Sequence, residues 1–155
     1  MIEEKETLEL NDMLAIDLVQ CKVFLKDRDE VIEKIGKLMF DVGKVEKKYI
    51  DAMKKMIDDL GAYIVIAPGI ALLHARPEDG VLDPCLALIT LSKPVYFGHP
   101  ENDPVDLVFG LAAKNDQNHI QAISTLARRL ATPGVIEKLR IANSKEELIK
   151  EICSN

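Results

Sequence analysis

In the stretch DRDEVIEKIGKLMFDVG, residues 27–43, the apolar positions Val31, Ile35, Leu38 and Val42 recur at the helical period, after acids that can cap a helix start and before Gly43. The same period runs through EKKYIDAMKKMIDDLG, residues 46–61, on Ile50, Met53, Ile57 and Leu60, with Gly61 as the C-terminal stop. The methionines of this second helix read as core filler. Beyond Gly61 the period changes. YIVIA, GIALLHA, CLALITL and DLVFGLAA are short apolar runs bounded by Pro, Gly and Asp, the pattern of buried strands. HIQAISTLARRLA restores helical spacing through Ile120, Ile123, Leu126 and Leu130. Thr132 and Pro133 then read as the cap and first position of another short helix, and Ser144 with Glu147 forms a capping box at the head of SKEELIKEI. Helices, a cluster of strands, then helices predict an α/β sandwich, one sheet with helices packed on its faces. No linker or repeat interrupts the pattern, so residues 1–155 are expected to form a single domain.

Composition narrows the partners more than the fold. Hydrophobic residues make up 48% of the chain, enough for a real core, while aromatics are only 5% and tryptophan is absent. That core must be aliphatic, and stacking on nucleic-acid bases is not favoured. The net charge of −6 is spread along the chain and argues against nucleic acid as a partner. The opening MIEEKETLELND is acidic where a secretion signal needs a basic start, and no segment offers about 18 uncharged apolar residues. A soluble, cytoplasmic protein is expected. Cys21, Cys85 and Cys153 are odd in number and far apart, which fits reduced, structural thiols.

The three histidines are the scarce chemical resource. His74 lies where an apolar run gives way to the polar turn ARPEDG, so two readings stand side by side: a core histidine bonded to backbone, or a reactive group on a rigid support. His119 follows Asn115, Asp116, Gln117 and Asn118, which can cap a helix. There the free N–H groups favour an anion and keep the imidazole neutral, although an ordinary exposed histidine fits the same position. His99, in FGHPENDP, reads as a surface loop residue. Their spacings match no compact zinc signature, and the motifs of metalloproteases, serine hydrolases, P-loop proteins and dinucleotide-binding folds are absent. A histidine nucleophile beside a guanidinium and a second helix-start histidine suits phosphoryl transfer, because neutral imidazole can take a phosphoryl group on nitrogen. Arg76 is then a candidate phosphate clamp, with an ion pair to Glu78 or Asp79 as the alternative.

The residues at this point resemble a known family, the enzyme IIA components of the phosphoenolpyruvate-dependent sugar phosphotransferase system, mannitol/fructose type. APGIALLHARPEDGV is similar to the family segment G-I-A-x-P-H-A that carries the phosphorylated histidine. The continuation H-A-R-P-E, the turn FGHPENDPV and the helix VEKKYIDAM resemble the ascorbate-type branch, and the similarity runs from about Leu14 to Ile152. The resemblance implies a three-layer sandwich with a mixed β-sheet flanked by helices on both faces. It implies a phosphotransferase in which His74 accepts a phosphoryl group from phospho-HPr and passes it to a cysteine of enzyme IIB, with the membrane enzyme IIC acting downstream. His119 matches the second active-site histidine, which stabilises the phosphoryl group, and Arg76 belongs to the branch motif. No cofactor, nucleotide or metal is implied, since the energy arrives in the phosphohistidine bond, and family members generally use Nε2. Branch resemblance points to L-ascorbate as the transported compound. A regulatory version of the same module, binding partners according to its phosphorylation, is the alternative function, and the oligomeric state, homo-oligomer included, stays open. Two departures stand out: Leu73 occupies the place where the family commonly has proline, and Met56 the place of an arginine in mannitol-type members.

Overall fold

The computed structural model describes residues 9–153; residues 1–8, which hold most of the acidic stretch weighed as a targeting signal, lie outside them. In chain order the elements are α1 (Leu10–Met13), β1 (Val19–Val23), α2 (Arg28–Asp41), α3 (Lys48–Leu60), β2 (Val65–Ala67), β3 (Ile70–His74), β4 (Cys85–Val95), β5 (Val105–Ala112), α4 (Asp116–Ala131), α5 (Val135–Ile141) and α6 (Lys145–Cys153). The five strands form one mixed sheet in the order β1-β4-β5-β3-β2. β1 runs parallel to β4 and β3 parallel to β5, while β4 with β5 and β2 with β3 are antiparallel.

Alternation along the strands sorts the core into two layers. On β3, Ala71 and Leu73 join Val31, Ile35, Met39, Tyr49 and Met53 from α2 and α3. Ile70 and Leu72 join Ala122, Leu126, Leu139 and Leu148 from α4, α5 and α6 on the opposite face. The sheet is thus the middle of a three-layer α/β sandwich, as expected. Gly110 on β5 shows how close the helical layer comes. Its backbone pairs with both Leu73 and Ala87, and a Cβ there would strike Ile35 Cγ2.

Local chemistry explains the helix ends. The Asp27 carboxylate accepts from Glu30 N at 3.0 Å while the Glu30 carboxylate accepts from Lys26 N at 2.7 Å, a reciprocal cap at the head of α2. α3 stops at Gly61, whose φ of 84° suits a residue without Cβ. Ser144 caps α6 through its hydroxyl, which accepts from Glu147 N at 3.1 Å; the Glu147 carboxylate reaches back to Asn143 N rather than to Ser144.

Several boundaries differ from the pattern reading. β1 lies in a segment to which the periodicity assigned no element. Of YIVIA only Val65–Ala67 is strand, and Ala62–Ile64 form a 3-10 turn that carries Tyr63. Thr132 closes α4, its hydroxyl donating to the Arg128 carbonyl at 3.1 Å, and α5 begins only after the left-handed Gly134. Ile120 is 68% exposed, so the buried stripe of α4 runs through Ala122, Leu126 and Leu130 instead.

Candidate active site

His74 is the last residue of β3 and pairs across a parallel rung with Leu111 of β5. Following Ile70 and Leu72 in the i, i+2 series, its side chain emerges on the α4 face, and it is only partly buried. Three residues past β5 the chain reaches Asn115, whose side chain accepts from Asn118 N at 2.8 Å and caps α4. His119 sits in the next turn position, and its ring centroid is 4.9 Å from that of His74 with the planes tilted 54°. Parallel pairing makes this meeting possible: both strands end at the same rim, and the two histidines follow from those ends.

The tautomer of His74 follows from its neighbour. Nδ1 lies 3.1 Å from the Leu72 carbonyl, which can only accept, so Nδ1 carries the proton and Nε2 keeps its lone pair. Burial pulls the His74 pKa below its ordinary 6.5; the Leu72 bond opposes this and the nearby His119 adds to it. His119 is lowered too, mainly by burial and against the pull of Asp116. Both rings are therefore neutral at pH 7, which leaves an unprotonated nitrogen at His74 as a potential nucleophile.

A pH dependence follows. A base whose folded pKa is depressed binds fewer protons folded than unfolded, so its contribution to stability is constant above the unfolded value and falls as pH drops from 6.5 toward the folded pKa. In urea unfolding across pH 8 to 5, wild type is expected to lose more stability on acidification than His74→Gln. Equal slopes, or an NMR titration midpoint for His74 at or above 6.5, would contradict the shift.

The support beneath His74 comes from Tyr49 on α3, fully buried in the α2/α3 layer. Its hydroxyl accepts from Ala75 N at 2.9 Å and donates to the Leu111 carbonyl at 2.8 Å, joining the end of β3 to the rung partner of His74. Burial pushes this hydroxyl well above the usual tyrosine range, so it remains a neutral donor. On the solvent side Tyr63 stands edge-on to His74, with ring centroids 6.0 Å apart at 86°, and its hydroxyl is 3.5 Å from Nε2. The pattern reading missed both tyrosines. Tyr49 lies beside the apolar stripe read as Ile50, Met53, Ile57 and Leu60, and the partners of its hydroxyl show only in three dimensions.

Arg76 is not brought to the histidines. Its side chain borders a groove with Ala52, Met56 and Leu60 of α3, on the face opposite α4. The guanidinium lies 3.4 Å from Asp79 and 3.8 Å from Glu78, and the Asp79 carboxylate also accepts from Arg76 N at 2.9 Å. In the structure Arg76 thus forms the ion pair set out as the alternative to the clamp, and Asp79 caps the turn that follows His74. His99 is a turn residue: its Nδ1 accepts from Glu101 N at 3.1 Å and Asn102 N at 2.9 Å. Cys85 is buried and its thiol is pushed up to about 12 by burial, and the Cys21 thiol donates to the Ala142 carbonyl at 3.3 Å, both in keeping with structural roles.

Residues 12–155 match the model of the family described as "Phosphoenolpyruvate-dependent sugar phosphotransferase system, EIIA 2". The chain belongs to this family. It is a phosphotransferase, a phosphocarrier of the enzyme IIA type, as the resemblance implied. Among relatives, the mannitol-specific cryptic phosphotransferase enzyme IIA component of Escherichia coli strain K12 is 37% identical over 124 residues, covering 79% of this chain and 83% of that one. The ascorbate-specific EIIA component of the same strain is 35% identical over 118 residues, covering 75% and 77%. The solution structure of the cryptic mannitol-specific enzyme IIA from Escherichia coli superimposes with a TM-score of 0.85 at 31% identity, covering 96% of this enzyme IIA chain and 100% of that one. A complex of Escherichia coli mannitol enzyme IIA with phosphorylated mannitol enzyme IIB gives a TM-score of 0.81 at 26% identity, over 92% and 100%. Among the described residues of this enzyme IIA chain, no helix is long and apolar enough to cross a membrane.

Proposed function

We propose that His74 Nε2 accepts a phosphoryl group from the phosphohistidine of HPr and passes it to a cysteine of an enzyme IIB partner, with residues 1–155 acting as one cytoplasmic domain. The observation that carries this reading is the Leu72 carbonyl on Nδ1, which frees Nε2 at the strand end. In the first step the Nε2 lone pair attacks phosphorus, the donor's P–N bond breaks, and its electron pair returns to the donor imidazole. No proton has to leave His74. The phosphorylated ring gains positive charge, and the Leu72 carbonyl on Nδ1–H stabilises it. In the second step a thiolate of IIB forms the S–P bond and the electron pair returns to Nε2. His119, at the head of α4, donates to a phosphoryl oxygen where the helix N-terminus also favours negative charge. Arg76 takes part as a clamp in this reading only when a docking partner draws its guanidinium off Asp79.

The transported compound assigned here is a sugar acid, L-ascorbate, passed by a membrane enzyme IIC that this chain does not touch. The H-A-R-P-E and FGHPENDPV segments support it, since overall identity to the mannitol-specific and ascorbate-specific relatives is nearly equal. The test incubates the protein with phosphoenolpyruvate, enzyme I and HPr, maps the label, and measures onward transfer. Acid-labile, base-stable phosphate on the His74 peptide and faster transfer to an ascorbate-type IIB are expected. Label on another residue would overturn the site, and faster transfer to a mannitol-type IIB would overturn the sugar.

A further inference from the structure

We infer that Tyr63 is a second phosphoryl-contacting residue of this site, its hydroxyl donating to an equatorial phosphoryl oxygen while the group is on His74 Nε2. The inference rests on the reading of His74 as the phosphorylated residue. Among the described residues, it is the Tyr63 hydroxyl that comes within hydrogen-bonding distance of Nε2, at 3.5 Å. That separation is long for a hydroxyl bonded to nitrogen, so in the resting site the contact is weak. A phosphorus atom bonded to Nε2 carries oxygens out to the side of this contact, where the same hydroxyl can donate to one of them instead of to a distant nitrogen.

Tyr63 is held for this purpose from two directions. It lies in the Ala62–Ile64 turn that leads directly into β2, whose partner strand β3 carries His74. Its ring stands edge-on to the imidazole at 86°, opposing rotation of both rings. The hydroxyl remains reachable by a partner, since the residue is 44% exposed, and partial burial keeps it protonated. With Arg76 held by Asp79 and Glu78 on the opposite face and Met56 half-buried on α3, no guanidinium among the described residues is bonded to His74. A neutral phenol beside the neutral His119 then supplies the donors that a loose phosphoryl-transfer transition state requires at its equatorial oxygens. A neutral donor also suits a relay, because it holds the group less firmly than a cation and lets it pass on.

The test is single-turnover phosphorylation by phospho-HPr, with a ³¹P spectrum of the phosphorylated protein, for wild type, Tyr63→Phe, Tyr63→Leu and His74→Ala. Tyr63→Phe keeps the edge-on ring and removes only the hydroxyl. Its rate is expected to fall about tenfold to a hundredfold while the final extent of labelling stays the same. Its phosphohistidine resonance should shift from the wild-type position, a change that lost packing alone would not produce. A wild-type rate in Tyr63→Phe, or a slowed rate with an unmoved resonance, would overturn the inference. So would a defect confined to Tyr63→Leu, which would make the ring a packing element. Labelling of His74→Ala would instead overturn the reading of His74, whatever Tyr63 does, so the two failures are told apart.

Discussion

His74→Ala is expected to take up no phosphoryl group from phospho-HPr, a fall of about 10⁶-fold or to below detection, with the fold intact. Removing a covalent nucleophile costs far more than removing one of its supporting donors. His74 is partly exposed at a strand end, so the loss of its ring leaves little cavity and thermal unfolding should barely change. His119 does not take over. Its ring is near, but it is fixed on the first turns of α4, and the Leu72 carbonyl that sets the tautomer serves His74 alone. In the same assay His119→Ala should still label to completion while onward transfer to IIB slows about 10²-fold. Labelling of His74→Ala at the wild-type rate would refute the assignment, and unchanged rates in both steps would remove His119 from the chemistry.

Tyr49→Phe is expected to lower stability by about 2–4 kcal/mol, an unusually large effect for the loss of one oxygen. The hydroxyl bridges the Ala75 N–H and the Leu111 carbonyl, and both lie in a fully buried setting where an orphaned polar group costs about 1–3 kcal/mol. The ring itself stays, so no cavity confuses the measurement. The same change loosens the rung on which His74 stands, and phosphoryl transfer should slow even under conditions where the variant is fully folded. Urea unfolding together with single-turnover labelling checks both parts. A loss below about 0.5 kcal/mol would mean that water or backbone replaces the hydroxyl.

Helices α2, α3 and α4 were legible because their signals are local: a 3.6-residue period in each, an Asp or Asn cap before α2 and α4, and a glycine after α2 and α3. β3, β4 and β5 were legible as apolar runs because both of their faces are covered over most of their length, whereas β2 showed as an apolar run although its Ile66 is 46% exposed at the sheet edge. β1 escaped since VQCKV is short, sits at the sheet edge, and mixes buried with half-exposed positions. The start of α5 was misplaced because Thr132 and Pro133 resemble a helix opening, whereas the chain needs one more left-handed residue, Gly134, before it can turn. The buried stripe of α4 was mistaken at Ile120, which the local period cannot separate from a core position. In the candidate site, His74 and His119 were picked out as scarce residues at polar boundaries, and the fold brings their rings together. Tyr63 was read as the start of a strand, and its relation to Nε2 depends on a turn that pattern alone does not reveal.

The parallel rung between His74 and Leu111 has a further consequence for how the molecule comes to life. β3 and β5 are separated in the chain by the whole of β4, and α4 is reached only after β5, so the two imidazoles meet only once that long-range pairing has closed. On the proposed function, a nascent or misfolded chain presents His74 without its neighbour, its carbonyl latch or its tyrosine, and is expected to take up phosphate slowly. Rapid phosphorylation would then report that the sheet has been completed.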